Sequence, residues 1–302
     1  MTAGATGGEG APRAEARIAD MMRAKSTLSF EVFPPKSGAS LDGVRETIER
    51  LCAFEPDFFS CTFGAGGTDR GRNVEVCDIA SATGRATMPH LTCVGIRRED
   101  AAGIVAGFAA KGIANVLALR GDFPPGADGT GGDFEHADAL VAFLRGRFPD
   151  LCIGVSAYPE KHLTAPSLEA DIARLKAKQD KGADFAMAQL CYDPGAFARF
   201  VERARKAGVA IPIAAGVMPA LSYDATIRMA ISNGCSIPAD LACLLGRYRD
   251  SPADLAKAGV EHAARLLPRL LEAGACGLHL YSLNKWRRIA AILEARGGGA
   301  TC

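Results

Sequence analysis

No stretch of this 302-residue chain stays apolar for the roughly 20 residues that a membrane-spanning helix needs. The opening residues, MTAGATGGEGAPRAEAR, also lack the apolar core of a secretory signal. Neither a span nor export is expected, which argues for the cytoplasm. A charge bias is missing too: 35 Lys and Arg balance 34 Asp and Glu, giving a net charge of +1. With no basic stripe interleaved with aromatics, nothing draws the chain toward nucleic acid or an anionic membrane. The ten cysteines include no CxxC pair, and a disulfide framework belongs to small secreted domains. Cys61, Cys93, Cys152 and Cys191 fall in or beside strand-like runs, where a thiol acts as a small hydrophobe. His90-x-x-Cys93 with Cys61 offers metal-binding atoms, but structural thiols are the expectation and no metal site is assigned. The Gly cluster at Gly64–Gly67 lacks GxGxxG spacing, which disfavours a doubly wound dinucleotide fold.

What the chain does have is a repeated strand-then-helix unit. Strand-like runs begin near residues 28, 58, 88, 115, 152, 185, 211 and 277, each short and apolar, with helical periodicity between them. Ser167 and Asp193-Pro194 supply helix-start signals, and Gly182 supplies a stop. Short apolar strands alternating with helices form a buried parallel sheet, and eight such units close a (β/α)8 barrel. The expectation is one barrel over residues 17–296 with extra helices before strand eight. A disordered arm over 1–16 and a flexible tail over 297–302 complete the chain.

The stretch Thr27–Lys36 is the most informative. It alternates Leu28, Phe30 and Val32 against Ser29, Glu31 and Phe33, and Pro34-Pro35 ends it because neither residue can donate a ladder hydrogen bond. A carboxylate therefore sits near the C-terminal end of a buried strand. Desolvation there favours the neutral acid that general-acid chemistry needs. A structural ion pair of Glu31 with Lys36 or Arg120 is the competing reading.

Barrel active sites lie at the C-terminal ends of the strands. Glu31, Thr62, His90, Arg120, Asp122, Tyr158, His162 and Gln189 all fall there. Singly each has a bland explanation: Thr62 as a strand former, His90 as a satisfied core histidine, Asp122 as a turn residue. Their shared end of successive strands is what points to chemistry.

The chain resembles the methylenetetrahydrofolate reductase family. The resemblance rests on Phe30-Glu31-Val32-Phe33-Pro34-Pro35-Lys36, Thr62-Phe63-Gly64-Ala65, Pro89-His90-Leu91-Thr92-Cys93 and Leu117-Ala118-Leu119-Arg120-Gly121-Asp122. Ala157-Tyr158-Pro159-Glu160-x-His162, Ala188-Gln189-Leu190 and Leu280-Tyr281-Ser282-Leu283-Asn284-Lys285 follow in family order. The resemblance implies FAD across the barrel mouth, with contacts at Phe63, Ala65, His90, Arg120, Gly121 and Asp122. Further contacts are implied at Ala137, Tyr158, His162, Asp171, Arg174 and Lys178. Arg120 and Lys178 suit a pyrophosphate, and Asp171 and Lys178 share one helix face. Ala177 stands where some relatives carry Arg, which removes one phosphate contact.

The same resemblance implies reduction of 5,10-methylenetetrahydrofolate to 5-methyltetrahydrofolate, in one-carbon metabolism and methionine biosynthesis, by two hydride transfers at one flavin face. Glu31 would protonate the folate nitrogen and Asp122 would stabilise the iminium cation, while Thr62, Gln189, Tyr223 and Lys285 would contact substrate. Lys285 replaces an Arg common among relatives, keeping charge but losing the bidentate fork. NADH is the expected donor, with NADPH or a reduced protein left open. A homo-oligomer is expected, and the regulatory domain of eukaryotic relatives, with its control by adenosylmethionine, is not. A flavin-free folate-binding methyltransferase barrel is the alternative.

Overall fold

Eight strands close on themselves in chain order. They are β1 (Thr27–Val32), β2 (Phe58–Cys61), β3 (Ala86–Thr92), β4 (Asn115–Leu119), β5 (Cys152–Ala157), β6 (Phe185–Leu190), β7 (Ile213–Val217) and β8 (Gly277–Tyr281). The computed structural model describes residues 14–63, 70–122 and 131–297. All neighbouring strands are parallel. The ring shuts where Thr27 lies opposite Gly277 and Glu31 opposite Tyr281.

The chain opens with a helix, α1 (Ile18–Ala24). Between the strands run α2 (Asp42–Leu51), α3 (Arg70–Ser81), α4 (Arg98–Ala110), α5 (Ala137–Arg147), α6 (Leu168–Asp180) and α7 (Pro194–Lys206). Three helices, α8 (Tyr223–Asn233), α9 (Ala239–Arg247) and α10 (Pro252–Glu272), precede β8, and α11 (Trp286–Gly297) follows it. The expected caps are in place. Ser167 accepts a hydrogen bond from the Ala170 N–H, and Asp193 accepts one from Gly195 with Pro194 in the first turn. Gly182 leaves α6 at φ +111°, a left-handed turn that suits glycine.

The alternation of β1 sorts its side chains as the sequence suggests. Phe30 and Val32 are fully buried in the layer between strands and helices, with Ile48 and Leu51 of α2. Ser29 and Glu31 point into the barrel, where they meet histidines from other strands. At the N-terminal end the barrel interior is apolar, filled by Phe58, Met88, Leu117, Phe185 and Met187.

Helix α1, absent from the sequence reading, seals that end. Its buried Ile18, Ala19 and Met22 join the interior cluster, and burying a side chain the size of Ile or Met is worth about 1.5–3 kcal/mol. At seven residues, with no capping side chain at Arg17, it carries too little periodicity to be read from sequence. Asn115 pins it: its Oδ1 accepts from the Ile18 N–H (2.9 Å) and its Nδ2 donates to the Ala16 carbonyl (3.1 Å). Glu15, assigned by sequence to the arm, accepts from the Ser81 hydroxyl (2.9 Å) and the Thr87 N–H (2.8 Å). The rest of the arm, residues 1–13, and the tail 298–302 lie outside the described residues.

Candidate active site

At the C-terminal end the same strands present polar side chains inward. Register places Ser29 of β1 beside His279 of β8, and Glu31 beside Ser60 of β2 and Tyr281 of β8. The Glu31 side chain, 21% exposed, is faced by two imidazoles, with His90 Nε2 and His279 Nε2 each 3.8 Å from its Oε2. It is these groups, rather than the Lys36 or Arg120 of the structural reading, that flank it. Burial lowers His90 to about 4, so it stands neutral at pH 7, and its Nε2 lies 2.6 Å from the Ser60 hydroxyl. His279 Nδ1 lies 2.8 Å from Ser29 Oγ, which also donates to the Leu278 carbonyl at 3.3 Å. A serine proton committed to that carbonyl puts the imidazole proton on Nδ1 and turns the bare Nε2 toward Glu31. Glu31 is thus set between two imidazoles, and among the described residues it makes no ion pair with a Lys or Arg.

Beside this centre opens a cavity of about 590 Å³. Its inner wall carries Thr62, Phe63, His90 and Gln189, and its middle carries Arg120, Gly121, Asp122 and Tyr158. The helix side adds Ala137, Asp138, Asp171, Arg174, Ala177 and Lys178. Gly121 has φ +84°, and a Cβ there would lie 3.0 Å from Thr92 Cβ and 3.1 Å from Val94 Cγ2. Only glycine lets the backbone form this part of the wall. The Lys178 ammonium donates to the Ser156 carbonyl (2.5 Å), and burial lowers its pKa to about 8. Asp171 accepts from the His162 N–H (2.8 Å), fixing the loop whose His162 ring stands edge-on to Tyr158 at 4.8 Å.

Two side-chain amides organise the inner wall. Gln189 Oε1 accepts from the Leu190 N–H (2.9 Å) and the Tyr281 hydroxyl (3.0 Å), which leaves its amino group to the cavity as a donor. Gly216 makes the Tyr281 contact possible, since a Cβ there would sit 2.7 Å from that hydroxyl and 2.4 Å from the Ala188 carbonyl oxygen. Asn73, fully buried on α3, donates to the Cys61 (3.1 Å) and Thr62 (2.7 Å) carbonyls and so fixes the end of β2. Cys61, Cys93, Cys152 and Cys191 are buried free thiols. Burial pushes Cys93 and Cys152 up to about 12, as suits packing groups.

Comparison with known proteins supplies the lineage. The family model described as methylenetetrahydrofolate reductase matches residues 16–297. The chain belongs to the methylenetetrahydrofolate reductase family. The 5,10-methylenetetrahydrofolate reductase of Escherichia coli is 32% identical over 271 residues, which cover 89% of this chain and 90% of that one. Methylenetetrahydrofolate reductase (NADH) 1 of Arabidopsis thaliana is 34% identical over 287 residues, covering 90% of this chain and 48% of the relative. The chain thus spans about half the length of the plant protein. A solved structure from Clostridium thermocellum, titled as binding two copies of 5-methyl-5,6,7,8-tetrahydrofolic acid, superposes with a TM-score of 0.63. The match covers 92% of this chain and 96% of that one at 17% identity, which is a likeness of fold.

Most positions at which the sequence resemblance leads one to expect flavin contacts line this cavity: Phe63, His90, Arg120, Gly121 and Asp122 from the strand ends, then Ala137, Tyr158, His162, Asp171, Arg174 and Lys178. Thr62 and Gln189 join them, while Ala65 lies outside the described residues. Tyr223 and Lys285 are not among the residues that line this cavity. Tyr223 begins α8 with the Arg249 guanidinium 4.9 Å over its ring, and Lys285 is exposed just after β8. His279, Ser29, Ser60 and Tyr281 were missed as site residues because each passes for an ordinary strand position. The usable signal was parity: His279 and Tyr281 alternate with Leu278 and Leu280, and Ser29 shares a face with Glu31.

Proposed function

We propose that the chain reduces 5,10-methylenetetrahydrofolate to 5-methyltetrahydrofolate, using FAD and a reduced nicotinamide. The observation that carries this is the placement of Glu31 between His90 and His279, next to a cavity that His90 also lines. The donor set of the cavity fits a flavin dinucleotide. Arg120, Arg174 and Lys178 offer positive charge for a diphosphate, Gly121 admits close backbone approach, and Tyr158 gives an aromatic wall. FAD, when bound, supplies the hydride relay between nicotinamide and folate.

The residues then divide the remaining work. Glu31 gives its proton to the folate nitrogen whose departure opens the five-membered ring, a contribution of roughly 10²–10⁴-fold for a positioned acid. His279, tied to Ser29 through Nδ1, turns its bare Nε2 toward Glu31 and so presents an acceptor to the protonated carboxyl. Asp122 offers a carboxylate to the pterin N–H groups and to the positive charge that develops as the ring opens. Gln189, with its oxygen already held, presents its amino group to a ligand carbonyl: the pterin oxo group in one half-reaction and the nicotinamide carboxamide in the other. NADH is the preferred donor in this reading, in keeping with the name of the plant relative.

The test is direct. Purified full-length chain should show a flavin absorption spectrum that bleaches on anaerobic addition of NADH, or of NADPH if that is the donor. The colour should return on addition of methylenetetrahydrofolate. A colourless protein that stays inactive with added FAD would replace this reading with the flavin-free folate-binding barrel.

A further inference from the structure

Asp138 is a charged cavity residue that the proposed chemistry leaves unused. It is the second residue of α5, and it lines a wall whose other charged groups include Arg120, Arg174 and Lys178. A carboxylate so placed repels phosphate, yet its charge is not left to weaken the site. The Lys181 ammonium reaches it from the end of α6 and pairs with it across the two helices. Burial pushes the Asp138 carboxyl up, but this pairing together with backbone N–H donors at Ala139 and Asp138 outweighs it and holds the group below its usual value. An acid in the first turn also suits the helix dipole. That role alone asks for neither a place in a cavity wall nor a lysine from the next helix.

Position suggests what the acid meets. Asp171, Arg174 and Lys178 lie on one face of α6, and Asp138 is near enough to Lys178 to favour its charged form. The acid therefore stands with the phosphate-facing cations on the helix side of the cavity, opposite the strand side that carries His90 and Gln189. A dinucleotide with its redox ring over the strand ends and its diphosphate on these cations directs its nucleoside against α5 and α6. Ala177 keeps that end open, with no long side chain to fill it. A nucleoside brings a ribose with two adjacent hydroxyls, and a carboxylate is the side chain that accepts from both.

We propose that Asp138, held in place by Lys181, accepts hydrogen bonds from the ribose diol of the cofactor's nucleoside end, making the site selective for a dinucleotide over a mononucleotide flavin. This rests on the FAD reading above. The experiment is competition on the full-length protein, with flavin release followed by recovery of its fluorescence. ADP should displace FAD from the wild type at roughly tenfold lower concentration than 2′-deoxy-ADP, the weight of a hydrogen bond to a charged group. Asp138→Asn should erase most of that preference and weaken FAD by about tenfold, without loss of FMN affinity and with at most a small drop in the flavin-free melting temperature from the lost Lys181 pair. Lys181→Met should weaken FAD but keep the preference for ADP.

A wild type indifferent to the 2′-hydroxyl, or an Asp138→Asn protein that keeps the full preference, overturns the assignment while leaving the flavin reading intact. A wild type that binds neither FAD nor FMN overturns both.

Discussion

The two ends of this barrel are made by the same eight strands and answer opposite demands. Asn115 and Gln189 show the difference in one functional group. At the N-terminal end, the Asn115 amide is used on both sides, accepting from Ile18 and donating to Ala16. At the C-terminal end, the Gln189 oxygen is held twice while its amino group, among the described residues, is left to the cavity. The first amide is a fastener and the second is a fixed donor awaiting a ligand. The histidines follow the same rule. Burial holds His90 neutral, an arrangement that costs stability in acid and makes sense only where an uncharged ring is useful.

The contrast breaks hardest at Glu31. Glu31→Gln should slow the folate half-reaction by roughly 10²–10⁴-fold, the worth of a positioned acid, while reduction of the flavin by nicotinamide stays near wild type in stopped-flow measurements. Equal losses in both halves would remove Glu31 from the acid role. At the other end, Ile18→Ala should cost about 2–5 kcal/mol of stability, seen in denaturant melts, with the flavin spectrum and half-reaction rates unchanged below the transition. Altered site chemistry in that variant would mean the two ends are not separable.

Asp122→Asn keeps shape and removes charge. It should raise the flavin midpoint potential, because an anion near the ring disfavours the anionic reduced form. It should also slow the folate half-reaction by about 1.5–3 kcal/mol, or roughly ten- to a hundredfold. A wild-type potential and folate rate would reduce Asp122 to a turn residue.

Tyr281→Phe releases Gln189 and should cost about 0.5–1.5 kcal/mol in binding of folate or nicotinamide, read as a KM effect with kcat largely retained. The smallest signal is a proton count. Lys178 sits near pKa 8 in the free protein, so above that pH it is mostly neutral, and an incoming diphosphate restores its charge. Calorimetry at pH 8.5 in buffers of different ionisation heat should show a fraction of a proton taken up with FAD, and almost none at pH 6.5. Affinity should fall as pH rises past 8, and Lys178→Met should lose the uptake.

Much of this was legible in the sequence wherever one period ruled. The alternation of β1, the Ser167 and Asp193 caps and the eight strand starts all depend on neighbours within a few residues, and each stands where expected. Helix α1 was not legible, because its stability comes from Phe185, Met187 and Ala214 rather than from its own seven residues. The proton-handling set was half legible. Glu31 stands out as a charge in a buried strand, whereas Ser29, Ser60 and His279 acquire meaning only when register sets them side by side. Tyr223 and Lys285, named from resemblance alone, are not among the residues that line the cavity.

The seal at the barrel's base also fixes an order of events. Helix α1 is synthesised before any strand of the barrel, yet the cluster it joins includes Phe185, Met187 and Ala214, which are made much later. Strand β1 likewise waits for β8, with Thr27 pairing to Gly277 only after the six strands between them have been made. Pairings so distant along the chain are entropically expensive and slow to form. Until then the nascent chain carries an unsatisfied apolar helix and an open strand edge, the features that invite aggregation and chaperone attention. A helix made before all eight strands is thus among the last elements to be seated.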